Sequence, residues 1–257
     1  MIKFFEIMNI RCIFADMKNR TYYMDIKKTV FALVVSVLLS SCASEYLIEG
    51  NSSVSRLDGR MLFMKIPSGD EMISVDSAEV VHGLFRMQGE VDTPKVAALY
   101  MDEQSIMPLV MEQGNIQIQI DNARIIVSGT PLNDKLYEFV RQKNSLDDRA
   151  YEVERMESRL IMDGESIDAV EVKIKEEREK LSKELDGLVK SFIQENYENV
   201  LGPGVFMMLC NGFPYPLLTP LIEDIVGNAP EAFQNNPYVK EYMEAARENM
   251  KNLETDL

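Results

Sequence analysis

The chain has 257 residues, with 27 lysines and arginines against 42 aspartates and glutamates, a net charge of −15 at pH 7. A surface of that sign repels phosphate backbones and excludes nucleic acid as a partner. Tryptophan is absent and histidine occurs once, as His82, so a His-rich metal site cannot be built and a Ser-His-Asp triad would have to use that one residue.

The first feature in chain order is Val30 to Leu39, ten residues that are apolar except for Ser36. A spanning helix needs about 20 such residues, so the run is too short for an anchor. Lys27 and Lys28 give it the positive flank of a signal peptide. Leu39-Ser40-Ser41-Cys42 resembles a bacterial lipobox, whose cysteine sulfur is acylated and whose chain is cut just before it. Residues 1–41 therefore read as a signal peptide, with Met17 and Met24 as alternative starts, and Cys42 reads as the lipidation site. A segment cut by ordinary signal peptidase, or a buried strand, is the competing reading. Acyl chains on Cys42 would make the lipid membrane a partner. Ala43 in place of an aspartate implies, by the same resemblance, the periplasmic face of the outer membrane of a bacterial cell envelope. Cleavage would leave 216 residues and, by removing six basic and three acidic ones, would take the net charge from −15 to −18. That length holds one large domain or two small ones.

Residues 42–130 read as an antiparallel β domain, a sandwich or a barrel-like sheet. Short apolar runs at Tyr46–Gly50, Met61–Ile66, Met72–Asp76, Leu84–Gly89, Val96–Met101, Met107–Glu112, Ile116–Ile120 and Arg124–Gly129 recur at strand-like spacing between turn signals. Ile116-Gln-Ile-Gln-Ile120 alternates strictly, which predicts isoleucines inward and glutamines outward. Gln113-Gly-Asn115, Asp121-Asn-Ala123 and His82-Gly83 carry tight-turn chemistry. His82 accordingly reads as a solvated turn residue. Pro94 and Pro108 mark strand starts, edges or bulges, because proline cannot donate to a ladder.

From Pro131 to Leu257 the period changes. Leu132, Phe139, Leu146, Val153 and Leu160 lie seven apart, and so do Ile167, Ile174, Leu181 and Leu188. Between them Asp163-Gly-Glu-Ser166 holds a helix stop at Gly164 and an N-cap at Ser166. This predicts a helical domain, 131–257, with a long antiparallel, coiled-coil-like hairpin over 132–196 in which Leu160 meets Ile167 and Phe139 meets Leu188. The second apolar position is incomplete, which predicts a packed base and a projecting tip with a narrow seam. Ser145-Leu-Asp-Asp148 predicts a kink or break in the first helix. Glu171/Lys175, Glu176/Lys180 and Glu179/Lys183 are spaced as intrahelical ion pairs. Beyond the hairpin, proline and glycine break Leu201–Gly227 into short helices, and a last helix carries Val239, Tyr242, Met243, Ala246 and Met250 on one face. Phe213-Pro214-Tyr215-Pro216 is stiff and aromatic. It reads either as a packed connection or as a docking loop for a partner or an apolar ligand.

Three motif clusters carry a family resemblance. Asp76-Ser-Ala stands ahead of Gly83-Leu-Phe85, Glu112-Gln-Gly114 precedes a strand, and Ser128-Gly-Thr130 is followed by Asn133-Asp134. In this order, over Glu45 to about Val140, the chain resembles a domain of unknown function. That domain stands N-terminal to the thioredoxin-like (AhpC/TSA-type) module of bacterial thiol:disulfide interchange lipoproteins. The module itself has no counterpart here, so no catalytic residue carries over. Without Cys42 and Cys12 only Cys210 remains, in an apolar run, and no C-x-x-C occurs. Methionines in Met61–Met64, Met107–Met111 and Met207–Cys210 have the chemistry of Cu(I) ligands, but their spread favours packing. The sequence thus predicts an α+β protein with no catalytic, cofactor-binding or metal residue, acting as a lipid-anchored binding or protein-interaction module. The alternative is an accessory to thiol-disulfide or peroxide metabolism that works with a separate thioredoxin-like protein.

Overall fold

The computed structural model describes residues 44–69 and 71–255. The segment before Ser44, with the signal-peptide run and Cys42, lies outside the described residues.

Among the described residues eight strands come first: β1 (Glu45–Ser52), β2 (Met61–Ser68), β3 (Glu71–Glu79), β4 (Leu84–Glu90), β5 (Lys95–Met101), β6 (Gln104–Met111), β7 (Gly114–Ile120) and β8 (Ile125–Ser128). They form two four-stranded sheets, ordered β4-β1-β7-β8 and β3-β2-β5-β6. The architecture is a sandwich rather than a closed barrel. Its pairings are antiparallel with one correction: β1 runs parallel to β7. β1 lies between β4 and β7, and the chain crosses to the other sheet and back twice, for β2–β3 and for β5–β6, before laying down β7.

The strand period does what it predicts. Ile116, Ile118 and Ile120 enter the core between the sheets with Ile48, Leu62, Met64, Phe85, Leu99 and Leu109. Two glycines of β1 and β4 make room for aromatic rings across the ladder. Gly50 pairs with Phe85 and Gly89 with Tyr46. A Cβ at Gly50 would lie inside the Phe85 ring, and one at Gly89 would come within 2.9 Å of the Tyr46 hydroxyl. Tyr46 in turn donates to the Asp76 carboxylate at 2.7 Å, joining the two sheets. His82 and Gly83 both have positive φ, and Val81 and Leu84 exchange backbone hydrogen bonds around them. This is the expected two-residue turn, with His82 exposed on it. Pro108 lies on β6, an edge strand, as the proline rule requires.

Six helices follow: α1 (Pro131–Met162), α2 (Ile167–Glu195), α3 (Leu201–Cys210), α4 (Pro220–Gly227), α5 (Glu231–Gln234) and α6 (Pro237–Thr255). Residues Ser44–Leu257 form one compact unit, with the change from strand to helix at Thr130. The helices have their own core around Phe206, which meets Phe233 and Tyr242 edge-to-face at 5.7 and 5.8 Å. Val110 of β6 belongs to this second core, while its neighbours Leu109 and Met111 belong to the first. On the same face, Gly204 of α3 sits against Val96, where a Cβ would come within 2.7 Å of a valine methyl. The sheet that contains β6 is therefore the middle of three layers.

The hairpin forms as predicted, with three corrections. α1 runs unbroken through Ser145–Asp148, because helical spacing continues across it and the local cap has no chain break to cap. The register differs: Phe139 stacks on Phe192 at 4.4 Å, one turn beyond Leu188, which packs against the same core. Ile167 is consequently 71 % exposed, and Val170, at 2 %, takes the seam position with Val153, Ile174 and Leu181. The expected pairs within α2 give way to pairs across the hairpin: Arg149 with Glu184, Arg178 with Glu157 and, from the loop, Glu165 with Lys173. Ser166 precedes α2 in extended conformation, but its side chain makes no cap bond.

Gly50→Ala is expected to cost about 1–3 kcal/mol, because the Phe85 ring must move. Gly187→Ala, on the exposed face of α2 with nothing near its Cβ, should instead gain roughly 0.5–1 kcal/mol. Urea denaturation of the two variants checks both signs.

Candidate functional site

The most polar buried cluster lies where β6 meets α1. Asn133 is fully buried. Its Oδ1 accepts from the Val110 N–H at 2.9 Å and its Nδ2 donates to the Val110 carbonyl at 2.7 Å. The amide thus acts as one more residue of β-ladder on the edge of β6. One turn on, the Tyr137 hydroxyl donates to the Pro108 carbonyl at 3.0 Å, and burial raises its pKa, which keeps it a donor. Glu112, 6 % exposed, accepts from the N–H groups of Leu132 and Asn133 at 2.8 and 3.0 Å. It caps α1 from another element, opposite the positive end of the helix dipole. Thr130 accepts from the Asn133 amide at 2.9 Å, and Asp134 accepts from the Gly129 N–H, also at 2.9 Å.

The sequence motifs meet here. Glu112-Gln-Gly114 and Ser128-Gly-Thr130 with Asn133-Asp134 are the two sides of this junction, and a Cβ at Gly114 would come within 3.0 Å of the Thr130 methyl. Every donor in the cluster has an acceptor, so it offers no free group to a substrate. Its work is structural, and sequence spacing could not reveal it because its halves are some twenty residues apart.

The Pro-aromatic loop is split by the structure. Phe213 packs against the helical core. The backbone behind it is strapped to α6: the Tyr242 hydroxyl accepts from the Leu217 N–H at 3.0 Å and donates to its carbonyl at 3.1 Å, and Asn249 donates to the Pro216 carbonyl at 3.0 Å. Pro214 and Tyr215 stay exposed while Pro216 is half-buried. The loop is both a packed connection and a fixed exposed corner.

Cys210 is buried under the same strap, and desolvation pushes its thiol up to about 12. A nucleophilic thiolate is not populated at neutral pH. The methionine groups do not converge: Met64, Met107 and Met111 sit in the sandwich core, whereas Met207 packs with the helices.

The hairpin has the packed base and narrow seam that the sequence predicts, and its end carries an exposed apolar cluster that sequence reading missed. Its base shares the helical core, and its distal half is held by the seam around Val153, Val170, Ile174 and Leu181 together with the ion pairs across the hairpin. At its end Ile161, Met162 and Ile167 are exposed by 47, 79 and 71 %. Ile161 and Met162 beside the Gly164 turn were the available signal, since neither belongs to the seven-residue series. Among the described residues no helix is long and apolar enough to cross a membrane.

The strand order, the helical hairpin and the sealed junction define an α+β protein whose sandwich carries its helices on one face. Residues 46–136 match a family described as a domain of unknown function (DUF4369). The matched span ends at Leu136 and so contains both sides of the Glu112–Asn133 junction. No curated protein matches the chain.

Two outcomes follow. Asn133→Ala strands the Val110 N–H and carbonyl and should cost roughly 2–4 kcal/mol in a urea melt. Cys210 should resist alkylation at pH 8 in the folded protein and react at once in denaturant. Because its folded pKa lies above the ordinary value of about 8.5, its contribution to stability is full below that pH. It should fall as the pH rises toward 12, and Cys210→Ala should remove that alkaline loss.

Proposed function

We propose that the protein is a lipid-anchored, non-catalytic envelope protein that presents the hairpin end, and secondarily the Pro214–Tyr215 corner, to a protein partner. The supporting observation is the direction of α1. The chain enters the described region at Ser44, whose carbonyl accepts from Val91 at 2.8 Å, and β1 begins beside the first residue of β7. α1 starts at that same end, since Glu112, just before β7, caps it. The contacts from Asn133 to Val110 and from Tyr137 to Pro108 then carry α1 back along β6. Beyond Asn144 it has 18 more residues to Met162, about 27 Å of helix. A lipid on Cys42, two residues before Ser44, would therefore attach at one end, and the apolar hairpin tip would stand at the other.

A tether at one end and an apolar, acid-flanked knob at the far end is the arrangement of an arm held away from a membrane. The accessory reading, with a separate thioredoxin-like protein, fits the same arm as a contact surface. It does not fit Cys210 as a redox group, because that thiol is buried beneath the strap.

Cys42→Ala should move the protein from the membrane fraction to the soluble fraction and abolish palmitate incorporation. A photo-crosslinking residue placed at Met162 in cells should give a discrete adduct that Ile167→Asp abolishes, while the same residue at Gln119 on the sandwich gives none. Equal adducts at both positions, or an adduct indifferent to Ile167→Asp, would count against the hairpin as the contact.

A further inference from the structure

Four edge strands bound the two sheets, and three of them are guarded. β6 is bonded to Asn133 and carries Pro108, β8 has only four residues, and β4 sets the exposed Arg86 near its middle. These are the devices that keep an open strand from pairing with another chain. β3 is the exception. It ends its sheet beside β2, runs for nine residues and contains no proline, lysine or arginine.

The two halves of β3 differ. Its register with β2 breaks at a bulge that leaves Val75 unpaired. Beyond the bulge Asp76 turns back on the sandwich: its Oδ2 accepts from the Tyr46 hydroxyl and its Oδ1 from the Ser77 N–H, both at 2.7 Å. A bulge and an inward carboxylate guard that half. The half before it has no such device. Residues 71–75 are all exposed, and Met72, Ile73 and Val75 are so by 38, 43 and 40 %. Neighbouring residues of a strand point to opposite faces, so apolar side chains stand open on both faces of this edge. A helix lying on the sheet would cover one face only. A strand added alongside would flank both and would pair the outward backbone groups as well.

The charges select the occupant. β3 carries Glu71, Asp76 and Glu79 and no base. The cations on β2 and just before it are committed elsewhere: Lys65, opposite Ser74, pairs with Glu103 at 3.6 Å and lies over the Tyr100 ring, and Arg60 pairs with Asp102 at 2.8 Å. A second copy, of net charge −15 like the first, would line both sides of the seam with carboxylates and is disfavoured. We propose that residues 71–75 take an extended segment of another protein as an added strand, apolar beside Met72 and Ile73 and with lysine or arginine beside Glu71. This edge lies on the sandwich, apart from the hairpin end, and its test leaves the hairpin contact intact.

The probe is a blocked peptide of alternating valine and threonine with a lysine at each end, titrated into the full chain at low salt and followed by amide chemical shifts. It should saturate, with its largest shifts at Met72, Ile73 and Ser74. The same peptide N-methylated at alternate amides should not bind, because the added strand is held by backbone bonds. A version with glutamate ends should bind about three- to fivefold more weakly, as an exposed cross-strand charge pair implies. Glu71→Lys should reverse that preference, with an unchanged urea midpoint showing that the fold is intact. Ile73→Lys should leave the sedimentation of the chain alone unchanged. No saturation, equal binding of the N-methylated peptide, shifts centred elsewhere, or a charge preference indifferent to Glu71→Lys would each overturn the proposal. So would a dimer that Ile73→Lys dissociates, since a second copy would then hold the edge.

Discussion

The architecture depends on one side-chain amide. β6 is the edge of its sheet, and an edge strand presents backbone donors and acceptors that must be paired, wetted or covered. Here α1 covers β6 and would bury the Val110 N–H and carbonyl unpaired, each a penalty of roughly 1–3 kcal/mol. Asn133 removes that penalty because a carboxamide has the donor and acceptor of a peptide group at the same spacing. Glu112 does the reciprocal service for the helix, taking two N–H groups of its first turn that no preceding carbonyl can reach. Strand edge and helix start thus satisfy each other, and two cores meet across β6.

That junction gives the hairpin its mechanical meaning. An arm hinged on a flexible linker would point nowhere in particular. An arm whose first two turns are bonded to a sheet edge inherits the sheet's direction.

Much of this was legible in the residues. The two-residue period of Ile116–Ile120 and the seven-residue period from Leu132 to Leu188 place the strands, the helices and the boundary at Thr130. The His82-Gly83 turn is local chemistry and reads correctly for that reason. The parallel β1–β7 pair was not legible, since pairing partners are set by the crossover and not by the strand's own pattern. The hairpin register differs because Ile167 and Val170 are both apolar, and only packing against α1 decides which is buried. The Glu112–Asn133 bonds join residues some twenty positions apart and leave no local signal. The motif residues that resemble a known domain, Glu112, Gly114, Gly129, Thr130 and Asn133, all serve the fold, which is why the resemblance reaches the architecture before it reaches an activity.

The most direct measurement of the central claim is native-state hydrogen exchange at the Val110 amide, compared with Ile118 in the sandwich core and Phe206 in the helical core. If Asn133 welds the two layers, all three amides exchange only through global unfolding and share one free energy and one denaturant dependence. Rapid exchange at Val110, or separate free energies for Ile118 and Phe206, would show that the layers open independently and would contradict the account.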